Sequence, residues 1–254
     1  MTLSPNEVRP HRRRSKLNVI PRDQSTLAAA AASLADVIQI EFPAETDAAT
    51  KRRLRAEAAA GMDSLDWSSH ELWVRVDPPA TGDTEDDVNE LVPHGPSVVM
   101  MADAEGPADL VTLAGLVADA ERQHGFTEGS IGIGTVVERV HALAHVEEIA
   151  LSDPRMSFIS IGLNGLSGEL GYTLDRSGHG VETLYARSRC ILAARLAGID
   201  VGESPYTLLG DRDGTRRSAA QAYRMGFTTK SCAHPDQVID VHQAHAAVFE
   251  GYED

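Results

Sequence analysis

Short β-rich runs alternate with alanine-rich, helix-length segments along the whole of this chain, and that alternation limits its fold more than any single motif does. Eight runs have strand character: 16–20, 37–41, 72–76, 98–101, 131–137, 158–162, 202–207 and 226–232. Segments with apolar residues spaced at about 3.6 positions lie between most of them, as in 28–34, 50–60, 110–123, 140–151 and 182–197. Pro and Gly mark the joins, among them Pro21, Pro43, Pro154, Gly198 and Gly210. Strands separated by helices pair in parallel through right-handed crossovers. Eight such units in 254 residues match an α/β fold of the (β/α)8 TIM-barrel type, folded as a single domain. An open doubly wound sheet would place a glycine-rich phosphate loop after its first strand, and Val19-Ile20-Pro21-Arg22-Asp23 has no glycine. Gly132-Ile133-Gly134 sits inside a strand, where it reads as close packing in the barrel.

Charge and cysteine content narrow the function classes. The net charge is −15, yet residues 1–22 carry six Arg/Lys against Glu7 alone. So acidic a body repels phosphate backbones, which argues against nucleic acid as the partner. Residues 1–12 read as a flexible basic arm and 13–254 as the barrel domain. Arg13 or Arg14, just before the first strand, is placed to face an anionic substrate, and Arg14, with Arg75 and Asn164, is taken as a substrate-binding candidate. No apolar run reaches the roughly 20 residues that span a bilayer. The basic N-terminus has no apolar stretch behind it, so no secretory signal is read. Cys190 and Cys232 are too few for a disulfide scaffold, and a reducing cytoplasm is the expected setting.

Barrel active sites lie at the C-terminal ends of the strands. That rule nominates Pro21/Arg22, Glu41/Phe42, Arg75/Asp77, Met101/Asp103, Glu138/Arg139, Asn164, Tyr206/Thr207 and His234. Asp23, Asp77 and Asp103 precede helix or loop starts and read first as caps. Glu41, Arg75 and Glu138 follow apolar runs with nothing to cap, so function is the better reading for them. Residues 163–166, after the sixth strand, read as a loop.

Several stretches together carry a family resemblance: Arg14-Ser15-Lys16-Leu17 leading to Pro21, Val37-Ile38-Gln39-Ile40-Glu41, Val74-Arg75-Val76, Val136-Val137-Glu138 and Ile161-Gly162-Leu163-Asn164-Gly165-Leu166. Leu184-Tyr185-Ala186-Arg187-Ser188-Arg189 follows, then Gly226-Phe227 through Lys230 to His234-Pro235-Asp236-Gln237. In this order they resemble the HpcH/HpaI aldolase and citrate lyase beta-subunit (CitE-like) family over roughly residues 13–245. The resemblance implies the same barrel, homo-oligomers, and an enzyme that makes or breaks a C–C bond next to a carbonyl. It implies small carboxylate, keto acid or acyl thioester (CoA) substrates, with Mg2+ or another divalent cation. Glu138 then matches the metal-binding Glu, Arg75 the residue that holds the carbonyl or carboxylate, and Glu41 an acid at the end of strand two. C–C cleavage leaves an enolate, whose charge a hard cation and a guanidinium stabilise.

The departures are as informative. Gly165 stands where the family has its second metal carboxylate, and Gln39, Phe42 and Ala102 replace residues that are often charged. The chain ends at Asp254, where many relatives continue, so a shortened C-terminus is expected. Three outcomes stay open. Asn164 supplies a weak metal ligand, the chemistry runs without metal on Arg75, Arg139 or Lys230, or the chain only binds. The leading expectation is an aldolase/lyase-like enzyme with a degenerate metal site; the alternative is a non-catalytic or metal-independent binding homologue. Among other constellations, Glu138, His141 and His145 share helical spacing, but an amphipathic helix is the simpler reading than zinc. His179 lies in the loop after strand six as an acid/base or a solvated residue. Cys232 is a core residue near the mouth, and no Gly-x-Ser-x-Gly elbow is present.

Overall fold

The computed structural model describes residues 13–43, 46–175 and 180–249. The basic arm, His179 and the last five residues lie outside them. Eight strands close into one parallel barrel in sequence order: β1 (Ser15–Val19), β2 (Val37–Ile40), β3 (Glu71–Val76), β4 (Val98–Met101), β5 (Gly132–Val137), β6 (Met156–Ile161), β7 (Asp200–Glu203) and β8 (Thr229–Cys232). Around it run α1 (Gln24–Ala31), α2 (Ala48–Ser64), α3 (Thr84–Leu91), α4 (Pro107–His124), α5 (Val140–Ala144), α6 (Val146–Ala150), α7 (Leu163–Leu170), α8 (Leu184–Ala197), α9 (Arg212–Met225) and α10 (Gln237–Phe249). Among the described residues no helix is long and apolar enough to cross a membrane.

Alternation along each strand sorts side chains into two cores. Outward residues such as Leu17, Ile38, Val74, Val99 and Ile159 pack under the helices. Inward ones, Val37, Trp73, Val98, Met100, Val136 and Phe158, fill the bore. Trp73 and Phe158 meet edge to face with centroids 4.8 Å apart. Gly134 shows why a glycine is needed here: a Cβ would lie 2.5 Å from the Phe158 carbonyl oxygen and 2.6 Å from the Met100 sulfur, where the β5–β6 register shifts.

Local chemistry moves some expected boundaries. The seventh strand is β7, ending at Glu203, and the eighth begins at Thr229, because Gly226 closes α9 in the left-handed region (φ 109°). The single helix expected over 140–151 is two, α5 and α6, broken at His145 (φ −117°, ψ 18°). Residues 163–166 are the first turn of α7 and not a loop. The Ser204 hydroxyl accepts from the Leu163 amide while donating to the Ile161 carbonyl, and buried Leu166 anchors the turn. Asp23 does cap α1, accepting from the Thr26 amide at 2.8 Å. Asp77 instead holds Lys51 at 2.6 Å. Asp103 has a positive φ of 46° and sits ahead of a helix whose cap is Gly106.

The N-terminal end of the barrel is closed by charge. Arg13 binds Glu71 through two nitrogens, at 2.9 and 2.6 Å, and lies 4.9 Å above the Trp73 ring. Arg14 binds Asp36 through its backbone amide (2.7 Å), Nε (3.0 Å) and Nη2 (2.8 Å). Both arginines therefore lie at the end opposite the strand C-termini.

Candidate active site at the barrel mouth

Glu41 directly follows β2, Arg75 is the fifth residue of β3, and Glu138 directly follows β5. Strand pairing brings these three side chains together at the C-terminal mouth. Arg75 Nη2 donates to Glu138 Oε1 at 2.6 Å, and Nη1 lies 3.6 Å from Glu41 Oε2. Each side chain is about one-fifth exposed, so solvent reaches the cluster without surrounding it. Arg75 Nε is buried and has no hydrogen-bond partner among the described residues. Burial pushes the Glu138 carboxyl above its ordinary range, while Arg75 pulls it back down and Asp103 pushes it up further. A carboxyl raised by burial and held by a guanidinium suits proton transfer.

Lys16 is the residue that strand-end reasoning missed. It sits on β1, inside the bore and 2% exposed, with Nζ donating to Gln39 Oε1 at 2.8 Å. Gln39 Nε2 donates in turn to Glu41 Oε2 at 2.9 Å. Burial lowers the Lys16 pKa to about 8, against the pull of Glu41 and with a further push from Arg75. The available signal was period-two alternation: Lys16 stands two residues before Asn18 and between outward-facing neighbours. Next to this chain of contacts, a cleft of about 580 Å³ lies over β1 and β8, lined by Asn18, Ile20, Arg22, Glu41, Pro205 and His234.

Other expected participants are elsewhere. Arg14 does not reach the mouth, being locked on Asp36 at the far end. Asn164 is exposed in the first turn of α7 and lines a different cavity, with Tyr206 and Lys230. Arg139 is engaged by Glu169 at 3.1 Å. Lys230 points out of the bore into the layer beneath α9, bonded to Glu203, the Ser204 carbonyl (2.6 Å) and Ser218 (2.9 Å). His141 binds the Glu105 carbonyl at 2.7 Å. Cys190 and Cys232 are buried, and burial pushes both thiols up to about 12.

A divalent ion would need oxygen donors here, usually more than one anionic. Glu138 is one, and Arg75 already takes its Oε1. The position of the missing second carboxylate is also filled. A Cβ on Gly165 would fall 2.6 Å from the Glu138 carbonyl oxygen and 3.0 Å from the Glu138 Cβ. Among the described residues no three His, Cys, Asp or Glu side chains are placed to hold an ion. This donor set does not fit a resident hard cation.

A family model described as HpcH/HpaI aldolase/citrate lyase matches residues 14–235. The citrate lyase subunit beta of Leuconostoc mesenteroides subsp. cremoris is 31% identical over 216 residues, covering 84% of this chain and 70% of the relative. The L-malyl-CoA/beta-methylmalyl-CoA lyase of Cereibacter sphaeroides is 27% identical over 226 residues, covering 82% and 71%. Among solved structures, the citrate lyase beta subunit of Mycobacterium tuberculosis superposes with a TM-score of 0.76 at 25% identity, covering 91% of this chain and 96% of that one. The CitE protein of the same organism, solved with magnesium, acetoacetate and coenzyme A, gives 0.78 at 24%, covering 96% and 84%.

Proposed function

The chain belongs to the HpcH/HpaI aldolase/citrate lyase family, a family of carbon–carbon lyases, and from that premise we propose that its barrel mouth cleaves or forms a C–C bond next to a carbonyl without a resident metal. The observation that carries the reading is the 2.6 Å bridge between Arg75 and a Glu138 whose carboxyl burial has raised. An incoming carboxylate or carbonyl oxygen competes with Glu138 for the Arg75 guanidinium, whose planar fork matches a carboxylate. Glu138, released, takes the proton of the substrate's β-hydroxyl. The bond between the α and β carbons then breaks, and its electron pair moves onto the carbonyl oxygen as an enolate. Arg75 holds that oxyanion, and Glu138 returns the proton to the enolate carbon, so atoms and charge balance. Lys16, through Gln39, holds Glu41 beside Arg75, and its ammonium adds positive charge beneath the reacting oxygen.

The substrate class in this proposal is a small carboxylate, keto acid or acyl thioester. The relatives support it: one acts on malyl-CoA, and a neighbour of the same fold was solved with acetoacetate and coenzyme A. The 580 Å³ cleft over β1 offers room for a thioester arm. A cytoplasmic homo-oligomer completes the proposal, and exposed Tyr185, Leu192 and Leu196 on α8 support the association.

The test is C–C cleavage of L-malyl-CoA and of small β-hydroxy and keto carboxylates, assayed with EDTA and with added Mg2+. Turnover should survive EDTA and fall about 100-fold or more in Arg75→Ala, the usual scale for losing an oxyanion partner. Turnover abolished by EDTA would overturn the metal-free reading. Binding of carboxylates without any turnover would favour the non-catalytic alternative, which the closure of Gly165 onto Glu138 supports.

A further inference from the structure

A second cluster of ionised groups lies outside the bore, between β7, β8 and the helices α8 and α9. Arg187 on α8, Glu203 at the end of β7 and Lys230 on β8 have side chains only 4%, 4% and 2% exposed. Two cations face one anion, and the division of contacts is unequal. Lys230 is fully engaged by Glu203, the Ser204 carbonyl and the Ser218 hydroxyl. Arg187 is not: its Nε has no hydrogen-bond partner among the described residues, and Glu203 Oε1 stands 3.9 Å away. Phe227 lies under the guanidinium at 5.7 Å and offers no acceptor along its edge. A buried guanidinium with unmade hydrogen bonds is expensive, so what completes it matters.

Arg187 lines a cavity of about 90 Å³, bounded also by Asn164, Thr183, Ser204, Tyr206 and Thr207. A single water needs roughly 10–15 Å³ of such space, so this one admits several waters or a small molecule. The cavity is not the mouth: Arg75, Glu41 and Glu138 do not line it. Its charge selects the occupant. The buried triad carries one positive charge in excess, while Glu182 and Asp175 add negative charge at the rim. A monoanion balances the excess of the buried triad; a dianion overshoots it, and the two rim carboxylates repel it further. The planar fork of an arginine favours a carboxylate over a spherical ion.

We propose that this cavity is a separate binding site for a small monocarboxylate, seated on the Arg187 guanidinium. The site does not depend on the reaction proposed for the mouth. It does share an element with it, because Leu163 and Asn164 open α7, whose Gly165 packs against Glu138.

Titration calorimetry with acetate, on the full chain with and without Arg187→Gln and Arg75→Ala, tests the assignment. Saturable acetate binding should persist in Arg75→Ala and weaken at least 10-fold in Arg187→Gln. Thr207→Trp places bulk on the cavity wall from an exposed position, and should weaken binding to a similar degree even if Arg187→Gln does not fold. Phosphate should bind more weakly than acetate. The proposal is overturned if acetate does not bind at millimolar concentration, which would leave water as the occupant. Acetate binding that follows Arg75 and ignores Arg187 and Thr207 would place the anion in the mouth, and phosphate binding tighter than acetate would overturn the monoanion class.

Discussion

Gly165 lies so close to the backbone of Glu138 that its lack of a side chain is a packing requirement as well as a missing ligand. A Cβ there meets a carbonyl oxygen at 2.6 Å, and backbone cannot swing aside as a side-chain tip can. Gly165→Asp is therefore expected to destabilise the fold by about 1–3 kcal/mol, the usual cost of overpacking, without conferring Mg2+ affinity. Urea unfolding and calorimetry with Mg2+ and Mn2+ check this. Tight Mg2+ binding with no loss of stability would mean that α7 is free to move away. Lys16 makes a different prediction. Its folded-state pKa of about 8 lies below the ordinary 10.5, so between those values the unfolded chain binds more protons and stability attributable to Lys16 rises with pH. The cost of burying the charged form is fully present below pH 8. Lys16→Met should therefore raise the melting temperature relative to wild type most at pH 7, with the advantage shrinking toward pH 10.5. The differential comparison cancels Cys190 and Cys232, whose raised thiols work in the opposite direction above pH 9.

Among elements, the join of β1, β2 and α10 rests on one carboxylate. Asp36 accepts from the Arg14 amide and side chain, and from the Ser15 amide at 3.2 Å; His242 of α10 lies 3.6 Å away. Burial alone would raise the Asp36 carboxyl, but hydrogen bonding to His242 and Arg14 brings it down to about 2. A depressed carboxyl contributes stability above its unfolded value and loses it as pH falls through the folded one, here from about 4 to about 2. The contribution is on the order of 2 kcal/mol. Thermal melts from pH 2 to 7 should show wild type losing stability over the lower part of that range, with Asp36→Asn already destabilised at pH 7 and less sensitive to acid. Helix α3 is held in a comparable way: Asp87, fully buried, takes Lys51 at 3.1 Å and Arg55 at 3.1 Å. Removing it leaves Lys51 to Asp77 and Asp83 and Arg55 to Glu90, all more exposed partners, and Asp87→Ala should cost about 3 kcal/mol in urea unfolding.

At the scale of the molecule, the barrel was legible because alternation is written eight times over, and one blurred boundary does not erase it. Glu41, Arg75 and Glu138 were legible because a charge that ends an apolar strand has few structural uses. Arg14 was misplaced because a basic residue beside a first strand looks the same at either end of a barrel; only the strand direction and Asp36 decide. Lys16 and Arg187 were harder, since nothing in a one-dimensional pattern distinguishes a buried cation from a solvated one until its partners across the fold are known. The first turn of α7 was read as a loop because Asn-Gly is a turn signal, and Ser204, forty residues away, supplies the amide acceptor that makes it helical. Sedimentation should give a mass that is a multiple of 27.2 kDa, and Leu192→Glu should lower it if α8 forms the contact; a monomeric wild type would end that part of the proposal.

The filling of the bore also gives the molecule a built-in optical reporter. Trp73 stands between the Arg13 guanidinium and the Phe158 ring, and Lys16 Nζ lies 5.9 Å from the centroid of the Phe158 ring. Indole emission responds to nearby charge, and this indole is fully shielded from solvent two residues below Arg75. Trp67 is the other tryptophan of the chain, so Trp67→Phe leaves a single fluorophore beneath the mouth. A ligand that draws Arg75 away from Glu138 can then be followed by light, with no label and no turnover.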